Sequence, residues 1–288
     1  MMKQNNLLLL ALKQIFELSS VPCNTYRFVS AELGMVRSVK GTLEVSEQIF
    51  MLGQPYRLTE GRILLMHAGY IRVRANLIEF TLSAKQLIVA SPGTILQVLE
   101  VSNDCELEML AFTNSLMEGW QKETLLQMFL QGRLYVQLDL AEKEEKRIQQ
   151  FFDMLWDVVH DETFPREIVR SLIAALFHQI YAYRMREMSE DKQQRTRQEE
   201  VFNRFLLLVN KYAIRERNII FYAERLYLTP RYLSTLIRQT SGRTVMDWVN
   251  EAVVQEAKLL LRHSDKLVYQ IADELNFPNA SFFCKYFR

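Results

Sequence analysis

The sequence has no paired cysteines, no cluster of metal-ligating side chains and no glycine-rich phosphate loop, and each absence removes a class of function. Its three cysteines, Cys23, Cys105 and Cys284, stand far apart without a CxxC pair. An odd number of dispersed cysteines points to a reduced, intracellular protein rather than a disulfide framework. The four histidines, His67, His160, His178 and His263, occur singly, with no His-x-His partner. A metal enzyme needs several such ligands converging on one ion, so no metal is expected and His67 reads as structural. No serine-centred elbow or phosphate-cradling motif occurs, and neither a cofactor nor a catalytic residue is expected. Charge of one sign is also lacking: the formal net charge is +1, which names no partner for the chain as a whole. Long apolar runs are missing too. The best is "NNLLLLALKQIFEL", which Lys13 interrupts and no small-residue cleavage site follows. It is too short to span a bilayer and reads as a packing helix, so no membrane partner is expected and the cytoplasm is the natural location.

What remains is an ordinary globular composition, 49% apolar and 24% charged over 288 residues, enough for about two domains. Between about 36 and 112 the chain runs in short β-rich segments such as "GRILLMHAGY", "IRVRAN", "LIEFTLS" and "KQLIVA". Gly61, Gly69, Pro92-Gly93 and Asn103-Asp104 punctuate them at close spacing, the rhythm of a small all-β sandwich or barrel. After Phe112 the period becomes helical. "SLMEGWQKETLLQMFLQG" predicts a helix ending at Gly132. Ile148, Phe151, Phe152, Leu155 and Val159 form one stripe of a second helix, and Ile168, Val169, Leu172, Ile173, Leu176 and Ile180 that of a third, opened by Pro165. Residues 186–200, "REMSEDKQQRTRQEE", are almost wholly polar and mark a boundary between a domain at 1–190 and one at 198–288. Residues 198–288 carry 13 Lys+Arg against 10 Asp+Glu, net +3, leaving 22 against 24, net −2, for residues 1–197.

The second region is all-helical and repeats itself. "FYAERLYLTPRYLSTLIR" and "VYQIADELNFPNASFFCKYFR" share alanine, two charged residues and leucine, then a turn and a second helix with an apolar pair four apart. Ala223 matches Ala272, Leu226 matches Leu275, and Leu233 and Ile237 match Phe283 and Phe287. Each copy has the form of a helix-turn-helix: the alanine lets the helices cross closely, and the leucine and apolar pair bury the inner face. Thr229 is placed as an N-cap, Pro230 at the first helical position and Gly242 at the C-terminal stop. With Leu233 buried, Arg231, Ser234, Thr235 and Arg238 project outward. With Phe283 buried, Ser281, Phe282, Cys284, Lys285 and Arg288 do so. Such a helix fits the major groove of B-DNA, and "VMDWVNEAVVQEAKLLLRH" is a stiff helix able to hold two of them about one turn, roughly 34 Å, apart.

On the strength of "AERLYLTPRYLSTLIRQTSGRT", "VMDWVNEAVVQEAKLLL" and "IADELNFPNASFFCKYFR", residues 198–288 resemble the DNA-binding domain of the AraC/XylS family of bacterial transcription regulators. The resemblance implies base reading by Arg231, Ser234 and Thr235 in the first recognition helix and by Ser281, Phe282 and Lys285 in the second. Arg238, Arg243 and Arg288 are implied as backbone contacts. The family usually has glycine where Asn276 stands, and asparagine tolerates the left-handed conformation. The family also continues past Arg288 with a glycine-proline segment and a last short helix, so the second half is expected to be either truncated or weaker than the first.

The same resemblance, more loosely, implies a cupin-like sensing barrel and dimerisation helices for residues 1–190. The expected fold is therefore α+β: an N-terminal barrel with helices, then an all-α domain of two helix-turn-helix motifs joined by a linker helix. Tyr56, Tyr70, Arg72, Arg74 and Phe80 are weak candidates to line a ligand pocket; ordinary barrel core or surface is the preferred account of each. Expected partners are double-stranded operator DNA, an unidentified small-molecule effector, a second copy of the chain and, for an activator, RNA polymerase. The rival readings are a cupin-type metal-dependent enzyme and a protein-interaction adaptor that never meets DNA.

Overall fold

The computed structural model describes residues 9–10, 27–37, 52–117, 135–161, 164–191 and 197–287. Of the packing helix expected near the start only Leu9–Leu10 are described, and they form a strand instead; Cys23 and most of the helix expected to end at Gly132 lie outside the described residues. The chain divides into two units, one of Leu9–Lys192 and one that contains Gln193–Arg288.

In the first unit the described strands form two sheets. One has the order β1 (Leu9–Leu10), β4 (Pro55–Leu58), β9 (Ile95–Val101), β6 (Tyr70–Ala75), β7 (Ile78–Ser83). The other has the order β11 (Tyr135–Asp139), β8 (Gln86–Ala90), β5 (Gly61–Ala68), β10 (Glu106–Phe112), β3 (Leu33–Arg37), β2 (Arg27–Val29). All pairings are antiparallel except the short β1–β4 ladder.

Residue pattern explains the layering. Successive strand residues point to opposite faces, and β5 is apolar on both. Its Ile63 and Leu65 share a core with Leu33, Met35, Leu110 and Phe112, while Met66 shares a different core with Tyr56, Ile71, Val73 and Val98. The six-stranded sheet is thus the middle layer. β6 is one-sided, with Ile71, Val73 and Ala75 buried and Tyr70 and Arg72 exposed, so the five-stranded sheet keeps a solvent face. The expected α+β fold is present, with antiparallel sheets that are not closed into a barrel among the described residues. Among the described residues no ladder joins the sheets, and face-to-face stacking buries the apolar residues without closure. Strand β11 was not anticipated, although Val136 and Leu138 alternate with polar Gln137 and both are buried.

Two helices, α1 (Glu142–Val159) and α2 (Arg166–Asp191), cover the far side of the middle sheet. Their stripes pack inside this one unit: Ile148, Phe152, Leu155 and Val159 from α1, and Val169, Ile173, Leu176, Phe177 and Ile180 from α2. Ile168, expected in the stripe, is instead 54% exposed, one position off the buried Val169. The polar stretch at 186–200 includes the end of α2.

Charges fasten helices to sheet. Arg166 donates from Nε and Nη2 to the Glu32 carboxylate at 2.6 and 3.0 Å, and that pairing holds the Glu32 carboxyl below its ordinary range. Arg37 on β3 reaches Glu108 at 2.9 Å and Asp153 on α1 at 2.6 Å. His67 lies 3.6 Å from Glu108 and 3.6 Å from Glu145. Burial opposes its charge, yet hydrogen bonds and attraction from Glu108 and Glu145 outweigh it, and its pKa is raised. Among the described residues no group of three or more His, Cys, Asp or Glu is arranged to hold a metal ion.

Among the described residues the second unit holds six helices: α3 (Arg197–Tyr212), α4 (Ile219–Arg225), α5 (Pro230–Ser241), α6 (Val245–His263), α7 (Val268–Glu274) and α8 (Ala280–Phe287). No described helix is long and apolar enough to cross a membrane.

Candidate nucleic-acid interface

The interface is built on the repeated pair, α4 with α5 and α7 with α8. In the first pair Asn218 caps α4 by accepting from the Ile220 N–H at 3.0 Å. Tyr222, Ala223 and Leu226 are buried, as are Leu233, Leu236 and Ile237 of α5. In the second, Ile271, Ala272 and Leu275 are buried, with Phe277 and Phe283 stacked edge-on at 5.3 Å.

Both turns require a left-handed residue at the same place, immediately after the matched leucine. Asn276 has φ 56°, as its substitution for glycine anticipates, but Tyr227 has φ 58° in the first turn. A bulky side chain there crowds its own backbone, and Tyr227 is 89% exposed.

The helix ends follow the sequence. Thr229 accepts from the Tyr232 N–H at 3.2 Å, Pro230 is the first helical residue, and Gly242 stops α5 with φ 70°. Asn279 caps α8 in the same way, accepting from the Phe282 N–H at 3.0 Å. Helix α6 opens with a reciprocal cap: Thr244 accepts from the Asp247 N–H at 3.2 Å and donates its own N–H to Asp247 at 2.8 Å. The backbone and then the side-chain hydrogen bond to Thr244 lower the Asp247 pKa.

Of the residues implied as DNA contacts, Arg231, Ser234, Thr235 and Arg238 lie together on the exposed side of α5. Thr235 also donates its hydroxyl to the Arg231 carbonyl at 3.1 Å. Ser281, Phe282 and Lys285 are exposed on α8, as is Cys284, and Phe283 is buried beneath them. Arg243 differs, being held along α6: its guanidinium sits 4.3 Å from the Trp248 ring centroid and 3.3 Å from Glu251. Arg288 lies outside the described residues.

Sequence reasoning missed what supports the second pair. Arg217 lays its guanidinium 4.0 Å from the Phe277 ring centroid and donates to the Leu275 carbonyl; burial lowers its pKa. Asn276 donates to the Arg215 carbonyl at 3.4 Å, and the Tyr286 hydroxyl donates to Asn250 on α6 at 2.7 Å. These contacts span 36 to 61 residues of sequence, so no local pattern announces them. Tyr232 was also passed over, although it is exposed directly before the buried Leu233 as Phe282 is before Phe283. Aligning the two copies position by position would have found it.

The five pocket candidates of the first unit do not converge. Tyr56 is buried in the core between the sheets, and Phe80, packed against that core, stacks on Tyr135 at 4.9 Å. On the opposite face Tyr70 donates to Glu100 at 2.6 Å, and Arg72 pairs with the same carboxylate at 3.0 Å. Arg74, on that face too, donates to Gln97 at 3.2 Å and pairs with Glu79.

A family model described as a helix-turn-helix domain matches residues 222–288. Regulatory protein PocR of Salmonella typhimurium is 41% identical over 66 residues, covering 23% of this chain and 22% of that protein. YijO of Escherichia coli, an uncharacterized HTH-type transcriptional regulator, is 32% identical over 66 residues, 23% of each chain. The chain therefore matches under a quarter of the length of these curated relatives. Among solved structures, ToxT from Vibrio cholerae O395 aligns over 82% of this chain and 88% of its own, at 12% identity and a TM-score of 0.36. The C-terminal domain of the response regulator yesN from Fusobacterium nucleatum aligns over 32% of this chain and 93% of its own, at 22% identity and a TM-score of 0.29. Two helix pairs with a linker helix between them thus lie where the chain is similar to helix-turn-helix domains, over residues 222–288.

Proposed function

We propose that this chain is a sequence-specific DNA-binding transcription regulator, with residues 198–288 as its DNA-reading domain and residues 1–190 as a cupin-like sensing and dimerisation domain. The observation that carries this reading is the pair of second helices, α5 and α8, each anchored by a buried apolar side chain and each leaving polar and basic residues exposed. Arg231, Ser234 and Thr235 address base edges from α5, and Ser281, Phe282 and Lys285 from α8. Arginine, serine, threonine and lysine suit the donor and acceptor pattern of the major groove. Arg238, with Arg288, contacts phosphates; Arg243 joins them only by releasing Glu251.

Regulation follows from linkage. An effector bound by the first unit changes DNA affinity only by binding more tightly to the arrangement in which both second helices dock. A homodimer doubles the contacts and sets half-site spacing, and an activator would also meet RNA polymerase. The protein is assigned to the cytoplasm and to no catalytic reaction.

Selection of bound duplexes from random and genomic DNA, followed by affinity measurement across salt concentrations, tests the reading. An enriched sequence and an affinity that falls steeply with salt are expected, because phosphate contacts release counterions. Failure to enrich any sequence, with affinity flat in salt, would favour a protein-interaction role.

A further inference from the structure

The two recognition helices share a feature that their hydrogen-bonding residues do not explain. Tyr232 and Phe282 each occupy the third position of their helix, each gives its N–H to the capping side chain, Thr229 or Asn279, and each directly precedes a buried anchor, Leu233 or Phe283. Both rings are nonetheless in solvent, Tyr232 at 51% exposure and Phe282 at 60%. Among the described residues neither stacks on another aromatic ring. The cap fixes the backbone and the next residue is locked in the core, so each ring leaves the helix from a defined point beside the exposed polar row. On a helix, successive residues turn by about 100°, which sets Phe282 next to the row of Ser281 and Lys285, and Tyr232 next to that of Arg231 and Thr235.

An exposed phenylalanine has no donor or acceptor, and keeping its ring in water is unfavourable at about 25 cal/mol per Å². On the major-groove edges of the four base pairs, the apolar feature is the 5-methyl group of thymine. Resting on the DNA-binding reading above, we propose that Tyr232 and Phe282 are a matched pair of thymine readers, each packing its ring on a thymine methyl in the half of the operator that its own helix enters. Phe282 reads the methyl alone; Tyr232 adds a hydroxyl at the rim of its ring.

The test uses the full chain and the duplex enriched by selection, resynthesised with deoxyuridine replacing one thymidine at a time, which removes a single methyl group. The wild-type chain should lose about fourfold in affinity at one thymine in each half of the site, the worth of one buried methyl. Phe282→Ala should lose a similar factor on the thymine duplex and become indifferent to uracil at its own position only, and Tyr232→Ala at the other. Both residues are exposed, so circular dichroism should show each variant folded; Phe282→Leu, which keeps an apolar side chain, should retain part of the methyl dependence. The proposal is overturned if wild-type binding ignores every uracil substitution. It is equally overturned if Phe282→Ala weakens thymine and uracil duplexes alike, since the ring would then pack on sugar and phosphate. Either result leaves the regulator reading standing provided that Arg231→Ala still weakens the same duplex. If no duplex is enriched at all, both fall.

Discussion

The two helix pairs share one frame but are held up differently. The first pair, with Tyr222, Ala223, Leu226, Leu233, Leu236 and Ile237 buried, rests on the rings of α3, Phe205 meeting Tyr222 at 5.7 Å and Tyr212 meeting Phe221 at 5.2 Å. The second is smaller, with helices of 7 and 8 residues, and is braced mainly by polar and cationic side chains: Arg217 on Phe277, Asn276 to the Arg215 carbonyl, and Tyr286 to Asn250 on α6. A repeated motif thus fixes what each copy looks like, while distant residues set how firmly each copy stands. The outward faces differ as well, Arg231 and Thr235 in one where Ser281 and Lys285 stand in the other.

That contrast can be broken first at the anchors. Phe283→Ala should remove about 3–5 kcal/mol and Leu233→Ala about 2–5 kcal/mol. Hydrogen exchange should show the Phe283→Ala losses concentrated in residues 268–287. Uniform loss across both pairs would mean that they unfold as one. At the outer face, Arg231→Ala should cost about 1–3 kcal/mol on a selected operator and relax the base preference there, whereas full retention of affinity would remove Arg231 from the reading surface. Arg217→Ala should destabilise the second pair by about 1–2 kcal/mol through the lost stacking on Phe277, measured as faster exchange in α7 and α8 with α4 and α5 unchanged.

The turns give a smaller and opposite effect. Tyr227→Gly should stabilise the unit by about 1 kcal/mol in denaturant unfolding, because glycine adopts a positive φ without the crowding that tyrosine meets. Asn276→Gly should do less, since asparagine already tolerates that conformation. Smallest is the cap of α6. The Asp247 carboxyl is held below its ordinary pKa by Thr244, so its stabilising contribution is present above the unfolded-state value and is lost as pH falls through the folded one. Wild type should therefore lose stability relative to Asp247→Asn across that acid range, and parallel curves would show that the cap contributes nothing.

How much of this was legible depended on distance along the chain. Caps, turns and buried anchors in the second unit follow rules acting over three or four residues, so Thr229, Pro230, Gly242 and Asn276 could be placed from sequence. Strands β5 to β10 were equally readable from alternation and turn residues. The closure of the sheets was not: a strand apolar on both faces, such as β5, fits a barrel or a middle layer, and only the helices on its far side decide. Arg217 and Tyr286 were missed, and the pairing of Arg243 with Trp248 and Glu251 was not foreseen, for the same reason, because their partners are set by tertiary packing. The candidate pocket failed to assemble since Tyr56 and Tyr70 fall on opposite faces of one sheet.

The central claim is that α5 and α8 enter successive major grooves of one duplex. Base-methylation interference on the selected operator tests it directly. Two blocks of interfering guanines, about 10 base pairs apart centre to centre, are expected, with Arg231→Ala erasing one block and Lys285→Ala the other. A single block, or two blocks that both persist in each variant, would contradict the account.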